Sequence, residues 1–187
     1  FGSGHRHAGG SFRRPHAEFQ FLLDYIPDWK RAYGPHGMIQ YQSFVPATAA
    51  AWTFRESLRL SRERGLHPFL GVLKRHRRDE FLLTHGVDGF SLALEFQVSR
   101  RNRARLWQLA AELDALVVAA GGRFYLAKDA TLSRRSFAAA MGQDRIDRFL
   151  DLKRACDPED LLQTDLYRRL FATPRPGAPA GGPATAG

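Results

Sequence analysis

The chain has 187 residues, of which 44% are hydrophobic and 25% are charged, a composition typical of a globular protein with one sizeable core. Lys and Arg number 28 against 19 Asp and Glu, so the formal charge of +9 permits phosphates, nucleic acids or an anionic membrane surface as partners. These values exclude a disordered chain, a collagen and a disulfide-rich miniprotein, and no apolar run is long enough to span a membrane.

The N-terminal segment is rich in Gly, His and Arg, and its first residue is Phe, not Met. We expect residues 1–18 to be a flexible junction to a missing N-terminal domain. The histidines of this segment lie in a Gly-rich context, so we expect no metal there. Residues 19–33 are apolar and aromatic and predict a short helix or turn packed on the core.

The segment from residue 38 to residue 128 predicts strands and helices in the order β-α-β-β-α-β. Asn102 is the expected N-cap of its second helix, and Gly65 and Gly121 are the expected helix stops. This order predicts an α+β fold with an antiparallel, ferredoxin-like sheet and helices on one face. The predicted strands cover residues 38–45, 69–76, 89–98 and 123–128, and the predicted helices cover residues 47–64 and 102–120.

Additional C-terminal helices follow the sheet, and the predicted domain covers residues 19–171. Residues 172–187 are rich in Pro, Gly and Ala with a single charged residue, so we expect a disordered tail. The single cysteine, Cys156, excludes an internal disulfide, and we expect its thiol to be buried. The predicted C-terminal helices cover residues 133–141, 144–155 and 158–170.

Residues two apart in a strand share a face, so several polar side chains of the predicted strands project together. Lys74 and Lys128, the latter at the end of the fourth strand, lie among aliphatic residues, where an unpaired ammonium is costly. Such a face suits a polar or anionic ligand. Alternatively, the lysines reach solvent from strand ends beside Asp129 or Glu95. The side chains that share a face are Gln40 with Gln42, Val72 with Lys74 and His76, and Ser91 with Ala93.

Five segments, in their order along the chain, resemble the C-terminal half of flavin-dependent oxidases of the vanillyl-alcohol-oxidase type. The resemblance covers residues 19–171, and it is strongest to the group of the decaprenylphosphoryl-ribose 2'-oxidases and the D-arabinono-1,4-lactone oxidases. The motif AYGPxGxxQYQ, a strand lysine and YLAKD occur at matching separations. The five segments are residues 28–46, 69–76, 88–96, 121–130 and 157–170.

The resemblance implies a substrate or cap domain that lies over FAD, with an FAD-binding domain elsewhere in the same full-length protein. It implies oxidation of a CH–OH group in a sugar, a sugar lactone or a polyprenyl-phosphate sugar by hydride transfer to flavin. The electron acceptor stays open, and a partner reductase is one candidate. We expect the fragment alone to be inactive and the protein to be cytoplasmic, with a charge that permits peripheral contact with a membrane.

The resemblance also assigns roles to single residues, matched motif by motif. The implied roles are catalytic for Lys74 and Lys128, substrate-binding for Gln40, Gln42, Val72, Ser91 and Ala93, and cofactor-binding for Tyr125, Lys128 and Gln42.

Two positions of the sequence differ from the family's motifs. Ser91-Leu92-Ala93 replaces a triplet that ends in cysteine, so thiol-directed covalent inhibition should fail, and Phe21–Asp24 replace an aromatic-His-Pro-Leu-Asp stretch, which leaves the substrate open.

The competing hypothesis is a non-enzymatic ferredoxin-like module that binds nucleic acid through its basic surface. RNA-binding sheets expose aromatic side chains as stacking platforms. Here Tyr41, Phe44 and Phe96 alternate with polar residues, which predicts a sheet face that is polar and not aromatic. We therefore expect no nucleic-acid partner. The histidines in loops or at strand ends are predicted to be ordinary surface residues: His36, His67, His76 and His85.

Overall fold

The computed structural model describes residues 13, 15–20 and 26–171. The predicted disordered tail, most of the predicted N-terminal junction and the family departure at Phe21–Asp24 lie outside these residues. The boundaries predicted at residues 18 and 171 stay predictions.

The chain divides into two compact units, residues 1–35 and residues 36–187. The first unit contains a helix α1 (His16–Gln20) and a 3-10 helix η1 (Trp29–Tyr33). The rings of Trp29 and Tyr33 meet edge to face, with centroids 6.2 Å apart. A short helical segment is thus present where the apolar and aromatic pattern predicted one.

The second unit confirms the predicted α+β fold. Its four strands form one antiparallel sheet in the order β2-β3-β1-β4, which is the ferredoxin-like arrangement. The strands are β1 (Met38–Pro46), β2 (Leu70–His76), β3 (Gly89–Gln97) and β4 (Arg123–Phe124). The helices are α2 (Ala47–Glu63), α3 (Arg103–Ala119), α4 (Arg134–Met141), α5 (Gln143–Cys156) and α6 (Asp165–Leu170), with a 3-10 helix η2 (Leu126–Lys128) after β4.

One face of the sheet is covered by helices α2 and α3. Ile39 and Tyr41 of β1 lie with Leu109 and Leu113 of α3, and all four are buried. Each such buried apolar side chain stabilises the fold by roughly 1.5–3 kcal/mol. Among the described helices, none is long and apolar enough to cross a membrane.

The fourth strand is shorter than predicted, and Lys128 does not end it. The Tyr125 N–H still donates to the Gln42 carbonyl at 3.2 Å, but the backbone then turns, and the Lys128 N–H donates to the Tyr125 carbonyl at 2.9 Å. Arg169 of α6 donates to the carbonyls of Asp129 and Leu132, which holds the turned segment. The backbone thus leaves the sheet and forms a 3-10 turn, and α6 holds the segment that follows this turn.

Asn102 occupies the predicted N-cap position of α3, but its side chain makes no capping hydrogen bond, because its oxygen accepts the N–H of Ser99 at 2.8 Å and its amide donates to the Gln97 carbonyl. Another local prediction is wrong. Cys156, the last residue of α5, is exposed and not buried. Ser133 and Thr164 do cap α4 and α6, because their hydroxyls accept the N–H three residues on.

Candidate functional site

The strand register places all the predicted strand residues of the site on the face opposite to α2 and α3. Gln42 of β1 is paired with Ala93 of β3, which is paired with Val72 of β2. Two residues before Ala93 on β3, Ser91 is paired with Lys74 of β2. We call this surface the site face, and it is formed by Gln40, Gln42, Phe44, Val72, Lys74, His76, Ser91, Ala93 and Glu95, with Tyr125 next to Gln42.

The centre of the site face is formed by small side chains. Ser91 is fully buried and Ala93 is 7% exposed, and both lie on the central strand β3. Val72, on the neighbouring strand, is half-buried. The burial of Ser91 and Ala93 means that neighbouring side chains cover the centre of this face, so a ligand does not reach Ser91, one of the predicted substrate-binding residues, in this structure.

The two lysines lie at opposite corners of the site face. Lys74 is exposed on the edge strand β2, whereas Lys128 lies in η2, three strand positions away across the sheet. Neighbouring strands are about 4.8 Å apart, so three strand spacings separate the two backbones by at least roughly 14 Å. Lys128 lines a cleft of about 240 Å³ with Gln40 and Asp129, and its Nζ lies 5.9 Å from the centroid of the Tyr125 ring.

Neither lysine is paired with a carboxylate within the described part of the chain. Asp129 instead binds Arg169, and Glu95 accepts a hydrogen bond from the Gln40 amide. The alternative is therefore wrong about Asp129 and Glu95 as partners of the lysines, whereas Lys74 does reach solvent from the edge strand as that alternative proposed. Two ammonium groups without a counter-ion make the site face suited to a ligand that carries or develops negative charge.

A cluster of aromatic and imidazole rings closes one end of the site face. Phe44 is 1% exposed because His76 and His85 cover it, with ring centroids 4.8 and 4.4 Å away. His85 also meets the Tyr125 ring at 4.9 Å. The prediction that these two histidines are ordinary surface residues is wrong, and so is the prediction that Phe44 lies away from the glutamines. The spacing of two along each strand would have placed Phe44 on the face of Gln42 and His76 on the face of Lys74. His85 lies in a loop, where strand spacing gives no such signal.

His76 and Gln42 are joined through the hydroxyl of Ser91. The His76 Nε2 lies 2.8 Å from Ser91 Oγ, and the Gln42 Nε2 donates to the same oxygen at 3.3 Å. Partial burial lowers the pKa of His76, and the positive charges of His85, Lys74 and Arg75 lower it further. Burial also lowers the pKa of His85, against a smaller opposing effect of Asp79. Both shifts favour the neutral form of the imidazole.

The loop between β2 and β3 brings His85 onto the site face. Arg123 of β4 donates to the Thr84 carbonyl at 3.0 Å. Arg145 of α5 donates to the Phe81 and Leu82 carbonyls. These arginines fix a loop that has no regular secondary structure, and the described residues contain no cluster of three or more His, Cys, Asp or Glu that could hold a metal ion.

No family model matches the chain. Over 154 residues it is 32% identical to the decaprenylphosphoryl-beta-D-ribose oxidase of Mycolicibacterium smegmatis. This chain is related to that oxidase. The aligned region covers 82% of the chain and 32% of the oxidase, so the chain spans about a third of its relative's length.

Proposed function

We propose that this chain is the substrate-binding domain of an FAD-dependent oxidoreductase that oxidises a CH–OH group by hydride transfer to flavin. The relationship to an oxidase and the resemblance of five segments to flavin-dependent oxidases both support the proposal. The observation that carries it is the site face, where Lys74 and Lys128, which have no carboxylate partner among the described residues, lie on either side of the Gln40 and Gln42 amides.

The chemistry of the site face fits a flavin. The isoalloxazine ring has a flat apolar body and a rim of nitrogen and oxygen acceptors. Val72 and Ala93 supply an apolar centre, the ammonium of Lys128 supplies a donor beside it, and the amides of Gln42 and Gln40 supply further polar groups. When bound, the flavin would accept the hydride from the carbinol carbon.

The residues of this chain would bind and orient the reactants. Lys128, beside the Tyr125 ring, would stabilise negative charge that develops during reduction, because an ammonium in a partly enclosed cleft interacts with charge more strongly than in bulk water. Lys74, at the exposed corner, would bind a sugar hydroxyl or the phosphate of a polyprenyl-phosphate sugar. Gln40 and Gln42 would hydrogen-bond the sugar hydroxyls or the flavin rim.

The proposal is tested on the full-length natural protein that contains this chain. We expect it to purify with flavin absorbance, and we expect that absorbance to bleach without oxygen when D-arabinono-1,4-lactone or a polyprenylphosphoryl ribose is added. A sugar without the lactone or phosphate serves as the control. A full-length protein that binds no flavin, or bound flavin that none of these compounds reduces, would overturn the proposal.

The site face gives no support to the nucleic-acid alternative. Base-stacking platforms need exposed rings. Phe44 is buried under His76 and His85, and the remaining strand positions of this face carry amide, aliphatic and charged groups.

A further inference from the structure

The hydroxyl of Ser91 connects an imidazole to an amide at the centre of the site face. Ser91 is fully buried on β3, between Gln42 of β1 and His76 of β2. Its oxygen lies 3.3 Å from the Gln42 Nε2 and 2.8 Å from the His76 Nε2. Because Ser91 is inaccessible to a ligand, any effect of His76 through this contact must reach the ligand through Gln42.

The direction of the hydrogen bonds in this chain follows from the number of protons. A serine hydroxyl has one proton and two lone pairs, and the Gln42 N–H occupies one of those lone pairs. The Ser91 proton is then available for the His76 Nε2, which accepts it only when the imidazole is neutral and protonated on Nδ1. In this state the Gln42 Oε1 has no donor among the described contacts, so it is available to accept a hydrogen bond from a ligand.

Protonation of His76 reverses this direction. Both nitrogens of an imidazolium are donors, so Ser91 accepts from His76, and its own buried proton then has an acceptor only if Gln42 presents its carbonyl oxygen. The amide then has to turn by half a revolution to present its oxygen to Ser91. The ligand would meet an N–H donor where it previously met a carbonyl acceptor.

The charged groups around His76 favour the neutral state. Lys74 and Arg75 lie on its own strand, and His85 approaches from the loop between β2 and β3. Asp79 acts on His85. From β1 and β3, Phe44 and Ser91 contact the ring without charge.

We infer that His76 is a positioning residue that acts through Ser91 to keep the Gln42 carbonyl directed at a hydroxyl group of the ligand. The inference rests on the proposed function, because it takes Gln42 to contact the substrate. It assigns to the site a preference for a ligand that donates a hydrogen bond at this position, as the hydroxyl of a sugar does.

The tautomer of His76 tests the inference without any activity measurement. Long-range ¹H–¹⁵N spectra of this chain, labelled at histidine, should show neutral His76 protonated on Nδ1, with Nε2 shifted as a hydrogen-bond acceptor. Ser91→Ala should remove that shift and leave the spectrum of His67, an exposed histidine, unchanged. A neutral His76 that carries its proton on Nε2 would overturn the inference.

The pH dependence of substrate binding supplies the second test, on the full-length flavoprotein. The KM for the substrate that reduces the flavin should rise by at least about threefold as the pH falls through the pKa of His76, with a smaller change in kcat. His76→Gln, which can still accept from Ser91 but does not titrate, should keep a low KM and lose this step. His76→Phe should raise the KM at every pH, and His67→Gln should behave as the wild type.

Failure of the proposed function and failure of the positioning role of His76 give different experimental results. If no compound reduces the flavin, the proposed function fails, and the tautomer of His76 still decides the hydrogen-bond direction. If the flavin is reduced but His76→Gln retains the pH step in KM, the positioning role is wrong.

Discussion

Asp114 shows how a single buried carboxylate makes the stability of this fold depend on pH. It lies on α3 with 1% of its surface exposed, and the Tyr41 hydroxyl donates to it at 3.1 Å from the helix-covered face of the sheet. Burial raises the pKa of Asp114 to about 6, although the hydrogen bonds from Tyr41 and Ser136 oppose this effect. The folded state therefore holds a proton on Asp114 at a pH where the unfolded chain has released it.

The sign of the effect follows from this difference in proton binding. The pKa of Asp114 in the unfolded chain is about 3.9, so the folded state binds more protons between about pH 4 and pH 6. The free energy of unfolding falls as the pH rises through this window. A difference of about two pKa units corresponds to roughly 2–3 kcal/mol.

Asp114→Asn should remove this loss of stability. The asparagine oxygen can still accept from Tyr41, and its N–H can donate to Ser136, but it does not ionise. Urea unfolding should therefore show that the variant gains stability relative to the wild type between about pH 4 and pH 8, by up to roughly 2 kcal/mol. Asp144→Asn, at an exposed position on α5, is the control. If the free energies of unfolding of variant and wild type differed by the same amount at pH 4 and at pH 8, the pKa assigned to Asp114 would be contradicted.

At the scale of elements, the position of Lys128 depends on α6. Arg169 Nη1 donates to the Asp129 carbonyl at 2.8 Å and to the Leu132 carbonyl at 2.6 Å, and its guanidinium also binds the Asp129 carboxylate. These contacts fix the segment that follows η2. Arg169 therefore supports the cleft of Lys128 without contacting a ligand there.

Arg169→Gln should loosen this segment. Its backbone amides should exchange with solvent at least about fivefold faster, which corresponds to about 1 kcal/mol for the lost charged hydrogen bonds. Arg168→Gln is the matched control, because Arg168 is exposed and pairs only locally, with Asp165 and Gln163, among the described residues. Unchanged exchange between residues 126 and 132 in Arg169→Gln would contradict the account.

These elements also show what the sequence could predict. Spacing of two along β1, β2 and β3 determined which side chains share the site face, because that alternation is a property of the strand itself. The turn after β4 could not be predicted in this way, since Arg169 contacts Asp129, next to that turn, from 40 residues away along the chain. The packing of His76 and His85 on Phe44 likewise needs the loop between β2 and β3 to fold back onto the sheet.

At the scale of the whole molecule, a chain with a formal charge of +9 keeps two lysines of the site face free of carboxylates within its described residues, whereas many of its arginines are paired. Arg59, Arg75 and Arg169, for example, bind Glu63, Asp88 and Asp129. The net charge of +9 alone would permit many kinds of anionic partner. What directs the proposal to this one face is the position of Lys74 and Lys128, which lack carboxylate partners among the described residues, around the Gln40 and Gln42 amides.

The most direct test of the central claim compares Lys74→Ala and Lys128→Ala with the wild type in the full-length flavoprotein. Stopped-flow measurement of flavin reduction by substrate should show at least about a tenfold slower rate for either variant, which corresponds to about 1.4 kcal/mol of transition-state stabilisation. Arg62→Ala, at an exposed position on α2 away from the site face, should reduce at the wild-type rate. Wild-type rates of reduction in both lysine variants would contradict the assignment of the reaction to the site face.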